Sequence, residues 1–196
     1  MAKALRGMAM LDQFFHRTAT RCERLRFWRD YWVRRDVLMS GTTERRLLAR
    51  LAEMSIQHRS ALARQRDRRL RGDGKYFAKL RLHDGWRGGV VLMLERRHLF
   101  PERHVPDQTI DEWNRICGVV IQSPQSLGIR FDRFRLIPRP PHARGKWAER
   151  LFEHTHRLRH RDIPAPLILG HLHRRRGFRL VDEYLILPSA KGEAGR

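Results

Sequence analysis

The sequence predicts an α+β fold, with a helical first third followed by an antiparallel sheet that carries one main helix. Three observations predict it. Apolar residues recur at helical spacing as far as Leu62, the period changes to two after Gly72-Asp73-Gly74, and glycine-bearing turns then separate the alternating runs. A chain of 196 residues, 41% of them hydrophobic, is long enough for one or two compact units. The expected division is a helical segment over 1–71, a sheet-bearing domain over 72–188 and a disordered tail over 189–196.

The first helical stretch covers 11–32. Within it Thr20-Arg21-Cys22-Glu23 has the Thr-x-x-Glu pattern of a capping box and restarts a helix, whose Leu25, Trp28 and Trp32 then share one face. Ser40-Gly41 interrupts the chain. From Thr43 onward Leu47, Leu51, Met54, Ala61 and Leu62 resume an apolar stripe, which gives a helical hairpin. Residues 64–71 are dense in charge and read as a fraying helix end and linker. Tyr76, Ala78, Leu80 and Leu82 then alternate with Lys75, Phe77, Lys79 and Arg81, as in a strand with one buried face. His83-Asp84-Gly85 turns the chain into a second strand over 90–94. Thr109-Ile110-Asp111-Glu112 repeats the capping box and opens a short helix through Trp113 and Ile116 that ends at Gly118. A third strand near 129–137 is stopped by Pro138, Pro140 and Pro141. A helix over 146–161 follows, with Trp147, Leu151 and Leu158 as its inward stripe, Phe152 beside them, and Arg150, Arg157 and Arg161 outward. Ile163-Pro164-Ala165-Pro166 halts it, and 167–173 and 178–187 form two strands joined at 174–177.

Charge bounds the partners. Lys and Arg number 42 against 21 Asp and Glu, a formal charge of +21, and all but Lys3, Lys75, Lys79, Lys146 and Lys191 of the basic residues are arginines. Guanidinium forks suit phosphate and carboxylate groups, so nucleic acid, anionic lipid headgroups, nucleotides and phosphorylated saccharides all fit. The plainer reading is that arginine supplies charge to every solvated face. Basic residues are scattered through helices and strands, which weakens the case for a dedicated nucleic-acid arm. Two cysteines, Cys22 and Cys117, make no disulfide framework. The longest aliphatic run, 90–94, is too short to span a bilayer, and Met8 to Met10 leave no room for the hydrophobic region of a signal peptide. A cytoplasmic protein is expected.

The order strand, glycine turn, strand, insert, strand, helix, Ile-Pro-x-Pro and hairpin is that of the small lobe of a protein-kinase-like fold. Tyr76-Phe77-Ala78-Lys79, Asp84-Gly85-Trp86-Arg87-Gly88-Gly89-Val90-Val91-Leu92, Arg157-Leu158 through Ile163-Pro164-Ala165-Pro166-Leu167, and Glu183-Tyr184-Leu185-Ile186 resemble the lipopolysaccharide kinase (Kdo/WaaP) family. Residues 11–32, with Arg24-Leu25-Arg26-Phe27-Trp28, resemble the closing helices of that family's large lobe. The resemblance implies the end of one kinase-like unit joined to the small lobe of a second. It further implies ATP-dependent phosphorylation of a sugar on a lipopolysaccharide core or related glycolipid, with ATP and Mg as cofactors and an electrostatic attachment to the anionic leaflet of the inner membrane. Gly85, Gly88, Gly89, Lys79 and Glu149 would hold the nucleotide. The family lysine has two alignments: Lys79, or a position in the strand over 130–136, which contains arginines and no lysine. Glu153 competes with Glu149 for the helix glutamate that fixes such a lysine.

Each of these also has a plain structural reading, the glycines as a hairpin needing positive φ and the glutamates as surface ion pairs with Arg150 or Arg157. The catalytic parts are missing. His160-Arg161-Asp162 spells the start of a catalytic loop, but Leu167 stands where its asparagine belongs and it precedes the hairpin, and no Asp-Phe-Gly occurs. The expected protein is therefore inactive alone and dependent on a second polypeptide that supplies a large lobe. Two further classes stay open, a non-catalytic basic module binding RNA or DNA, with Trp86 or Phe77 stacking bases, and a peripheral membrane interaction protein. His156 with His160, and His171 with His173, share faces at spacings that suit zinc, but there is no His-Glu-x-x-His order and no cysteine pair, and histidines set among arginines read as solvated, so no metal is expected there. Cys117 reads as a small buried residue in preference to a nucleophile.

Overall fold

The computed structural model describes residues 2–15, 19–35, 41–94, 107–122, 130–131 and 134–189. The chain divides into two compact units, residues Met1–Arg64 and Gln65–Arg196.

The first unit is helical. Helix α1 spans Ala2–Phe15, α2 Arg21–Val33 and α3 Gly41–Arg69, the last continuing past this unit. The capping box at Thr20 is formed: its Oγ1 accepts from the Glu23 amide at 3.2 Å, and Glu23 Oε2 accepts from the Thr20 amide at 2.6 Å. Leu5, Met8 and Ala9 from α1, Trp28 and Trp32 from α2 and Leu51 from α3 close the core. The helical hairpin expected from the sequence is thus a three-helix unit. Helix α1 begins nine residues before the expected stretch, because Leu5, Met8, Ala9 and Asp12 lie on one helical face.

The second unit is α+β. Strands β1 (Phe77–Arg81), β2 (Trp86–Val91), β3 (Arg130–Phe131), β4 (Phe134–Pro138), β5 (Gly170–Arg176) and β6 (Arg179–Pro188) form one antiparallel sheet in the order β1-β2-β5-β6-β4-β3. Helix α4 (Ile110–Gln122) covers one face, where Trp113 and Cys117 join Ala78, Leu80, Val90, Leu136 and Ile186. Helix α5 (Trp147–His160) covers the other, where Ala148 and Phe152 meet Phe77, Val91, Ile168 and Leu185. With both faces covered, β1 buries Phe77 as well as Ala78 and Leu80, instead of the single face expected.

Other elements shift from expectation for identifiable reasons. The turn is the 3₁₀ segment His83–Gly85, with Asp84 at φ 55° and Gly85 at φ 77°, closed by Leu82 N–H donating to Trp86 O at 3.0 Å. The second strand therefore starts at Trp86, four residues earlier than expected, and takes Gly88 and Gly89 into its ladder. Helix α4 runs through Gly118, a glycine being tolerated in a helix interior at a cost of about 1 kcal/mol. Residues 64–69 are the helix end that was expected, but they are held and not a linker: Asp67 there meets Arg161 Nη2 at 2.7 Å and His160 Nδ1 at 2.9 Å, and Leu70 is buried. The expected third strand is a short hairpin of β3 and β4; residues 129, 132 and 133 of that expectation, and 190–196 of the expected disordered tail, lie outside the described residues.

Candidate functional site

Of the residues expected to bind nucleotide, Lys79, Gly89 and Glu149 lie on the side of the sheet that α5 covers, whereas Gly88 pairs with Leu80 and Leu172 on the α4 side and Gly85 lies in the turn. In β1, Phe77 packs under α5, so Lys79 and Arg81, two and four positions on, share that side. The ladder sets Lys79 opposite Gly89 and Gly89 opposite His171; one row further, Arg81 lies opposite Arg87, and Arg87 opposite His173. From above, the first turn of α5 contributes Lys146 and Glu149. The result is a field of positive side chains, Lys79, Arg81, Arg87 and Lys146, around His171, His173 and Glu149.

Glu183 on β6 holds the start of α5 in place. Only 2% exposed, its two carboxylate oxygens accept from the backbone N–H groups of Trp147 and Ala148, each at 2.9 Å. These are orphan donors of the first helical turn, and the carboxylate also complements the positive end of the helix dipole. In the sequence Glu183 opens the phrase Glu183-Tyr184-Leu185-Ile186 and carries no role of its own. Its signal was an acidic residue at an inward-facing strand position.

The glycines are explained by packing. A Cβ at Gly88 would stand 2.1 Å from His171 O, and one at Gly89 would stand 2.9 Å from His171 Nε2. Gly85 has the positive φ of a turn. Gly88 and Gly89 are thus strand residues paired on both sides, to β1 and β5, and not members of an open phosphate loop. Lys79 is exposed, and among the described residues its side chain has no hydrogen-bond or ion-pair partner. Its backbone N–H donates to Asp73 Oδ1 at 2.7 Å, which fixes the strand's start. Glu149 does not pair with Lys79. Its Oε2 lies 2.5 Å from Lys146 Nζ, a close charge contact without hydrogen-bond alignment. Glu153 accepts from Arg71 at 2.7 and 2.8 Å and from Arg157 at 2.7 Å, and these partners, Arg71 foremost, hold its carboxyl below the usual range. Neither glutamate makes the lysine pair of an assembled kinase site.

The histidines divide into two pairs, and neither forms a zinc site. His156 is buried with its ring against Phe77 and Phe152, at 5.3 and 4.6 Å between centroids, and its Nε2 lies 2.8 Å from Ile168 O. Burial above all pushes its pKa down to about 3. His160 is bound to Asp67. His171 and His173 stack in parallel at 6.0 Å; burial lowers both, His171 to about 4, and Glu149 opposes that shift in each. Their Nδ1 atoms are buried without a hydrogen-bond partner, as is Glu149 Oε2. Among the described residues no group of three or more His, Cys, Asp and Glu is arranged to hold a metal ion. Cys117 is buried and its thiol is pushed up to about 12 by that burial, which makes it inert.

His160-Arg161-Asp162 is the end of α5. The Ile163 amide donates to Leu158 O at 3.0 Å and the Asp162 amide to Arg159 O at 3.0 Å, with Asp162 at φ 62°, the pattern of a Schellman helix terminus. The rings considered for base stacking, Trp86 and Phe77, are 2% and 3% exposed and unavailable. Among the described residues no helix is long and apolar enough to cross a membrane. The sequence matches no protein family profile, no curated protein and no solved structure.

Proposed function

We propose that the second unit is a small lobe of the lipopolysaccharide kinase type that binds a phosphate-bearing ligand on its α5 side and transfers no phosphoryl group alone. The observation that carries this is the row Lys79–Gly89–His171, which puts an unengaged lysine beside Arg81 and Arg87 on the side where the first turn of α5 lies. Such a cluster attracts phosphate by point charge. The element order supports the kinase-like reading: a hairpin with a glycine turn, an inserted helix, the strand β4 preceded by the two-residue β3, the main helix, an Ile-Pro-Ala-Pro stretch and a final hairpin. Of the two lysine alignments, the strand that directly precedes α5 is β4, and it has no lysine. On that alignment the lobe lacks the group that would position the phosphates, and Lys79 provides charge from another strand. ATP is the ligand that the family resemblance favours, and acceptor, base and metal ligands belong to a second polypeptide in this reading.

The test is thermal unfolding of the full chain with ATP, ADP, inorganic tripolyphosphate or no ligand. The expected result is an upward shift with ATP that exceeds the tripolyphosphate shift and falls in Lys79→Ala, while the unliganded midpoint of the variant stays unchanged. A shift that is equal in Lys79→Ala would overturn the proposed site. Equal shifts with ATP and tripolyphosphate would overturn the nucleotide and leave a bare phosphate site.

A further inference from the structure

The tip of the β5–β6 hairpin combines exposed charge with the most exposed large apolar side chain among the described residues. The strands end at the pair Arg176↔Arg179, so the turn is Gly177-Phe178, with Gly177 at φ 58° in the first central position, where a positive φ favours glycine. Phe178 is fully exposed. Arg175, Arg176 and Arg179 flank it, all exposed, and among the described residues none has an acidic partner. Of the two acids on the same hairpin, Asp182 is taken up by Arg174 at 2.5 Å and Glu183 by the backbone amides at the start of α5. The β1–β2 turn lies against this hairpin, since a Cβ on Gly85 would stand 3.2 Å from Arg175 O.

We propose that this turn docks on an anionic lipid surface, Phe178 entering the headgroup layer while Arg175, Arg176 and Arg179 engage lipid phosphates. Three observations favour lipid over nucleic acid. The feature is a projecting turn, whereas single-stranded nucleic acid is held in a charged groove lined by stacking rings. Both faces of the sheet are covered by helices, and the inner aromatic rings are buried. A phenyl ring flanked by guanidinium groups matches the layered chemistry of a membrane interface, apolar beneath phosphate. The proposal does not depend on the phosphate-ligand reading, because it uses neither Lys79 nor the start of α5.

The experiment is co-sedimentation of the full chain with vesicles of phosphatidylcholine alone or mixed with equal parts of phosphatidylglycerol, with a single-stranded RNA as competitor. Binding to the mixed vesicles and not to phosphatidylcholine is expected. Phe178→Ala lowers the partition coefficient about tenfold, as for a phenyl ring returned to water. Arg176→Ala with Arg179→Ala lowers it about thirtyfold, each basic side chain contributing its own attraction. Phe178→Trp retains binding and gives an indole emission that shifts to the blue only with the mixed vesicles. All three variants keep the parent's unfolding midpoint, since the side chains are exposed. Unchanged binding in Phe178→Ala overturns the insertion, and RNA binding that falls in the same variants and displaces the vesicles overturns the lipid as partner.

Discussion

Acidification should unfold the second unit well before its carboxylates are neutralised. The perturbation is proton uptake by the unfolded chain that the folded chain refuses. A histidine in the unfolded chain titrates near pH 6.5. Burial holds His156 at about 3 and His171 at about 4 in the folded state. Between those limits the unfolded state binds more protons, so stability is complete above about pH 6.5 and falls as the pH falls. Each proton contributes about 1.4 kcal/mol per pH unit, so the two histidines together give a slope of about 3 kcal/mol per unit between roughly pH 6 and 4.5. Over that interval the loss is about 4 kcal/mol, a large share of the stability of a domain this size. His173, lowered in the same direction by burial, adds to it. Asp67 and Glu153 act lower down. In Asp67, burial raises the pKa and the hydrogen bonds from Arg161 and His160 outweigh it, while Glu153 is lowered chiefly by Arg71, so their stabilisation is lost only as the pH falls through these depressed values.

The assay is urea unfolding at a series of pH values, with the free energy plotted against pH. His156→Gln keeps a donor toward Ile168 O and removes one titrating ring, so its slope should fall by about 1.4 kcal/mol per pH unit, as should that of His171→Gln. Stability that stays flat from about pH 7 to about 5, or slopes that do not change in either variant, would refute the assignment of these rings as neutral and buried.

Two further perturbations follow from single contacts. Glu183→Ala leaves the buried Ala148 amide without an acceptor and the Trp147 amide with only Gly145 O at 3.1 Å, and should cost about 2 kcal/mol, read as a drop of about 4–8 °C in the unfolding midpoint, with faster amide exchange confined to the start of α5. Gly88→Ala drives a methyl into the backbone carbonyl of His171 and should cost about 3 kcal/mol or more. Gly177→Ala, at positive φ in open space, should cost about 1 kcal/mol, so comparing the two by urea unfolding separates strand packing from turn strain.

What the sequence made legible was local. Both Thr-x-x-Glu boxes form, the second with the Glu112 amide donating to Thr109 Oγ1 at 3.2 Å, because capping needs only residues three apart. The switch of period at Gly72-Asp73-Gly74 located the sheet for the same reason. The inward face of α5 was legible only in part: Phe152 is buried and Trp147 and Leu151 pack against the core, as expected. The expected stripe of Trp147, Leu151 and Leu158 is half-buried, and the buried positions are Ala148, Phe152, Thr155, His156, Arg159 and His160. Hydropathy cannot find such a face, since its polar members are satisfied by distant partners: His156 by Ile168 O, Arg159 by Ala165 O at 3.1 Å, His160 by Asp67. The candidate site was legible in part. Lys79, Gly89 and Glu149 belong to one side of the sheet, yet the sequence carried no sign that β2 would lie beside β5, and that pairing is what converts Gly88 and Gly89 from loop to ladder.

That pairing also constrains how phosphate can be held. A glycine loop that wraps a nucleotide offers free amides in a concave turn, whereas Gly88 and Gly89 sit in a strand with neighbours on both sides, His171 O pressed against one and the His171 ring against the other. Phosphate on this side of the sheet would therefore meet side-chain charge, from Lys79, Arg81 and Arg87, and not backbone. Charge contacts of that kind are screened by salt and set little geometry, whereas phosphoryl transfer depends on positioning a phosphate to within fractions of an ångström. On the proposed reading, a unit built in this way would hold a phosphorylated ligand in place, and the group that aligns a phosphoryl for transfer would have to come from elsewhere.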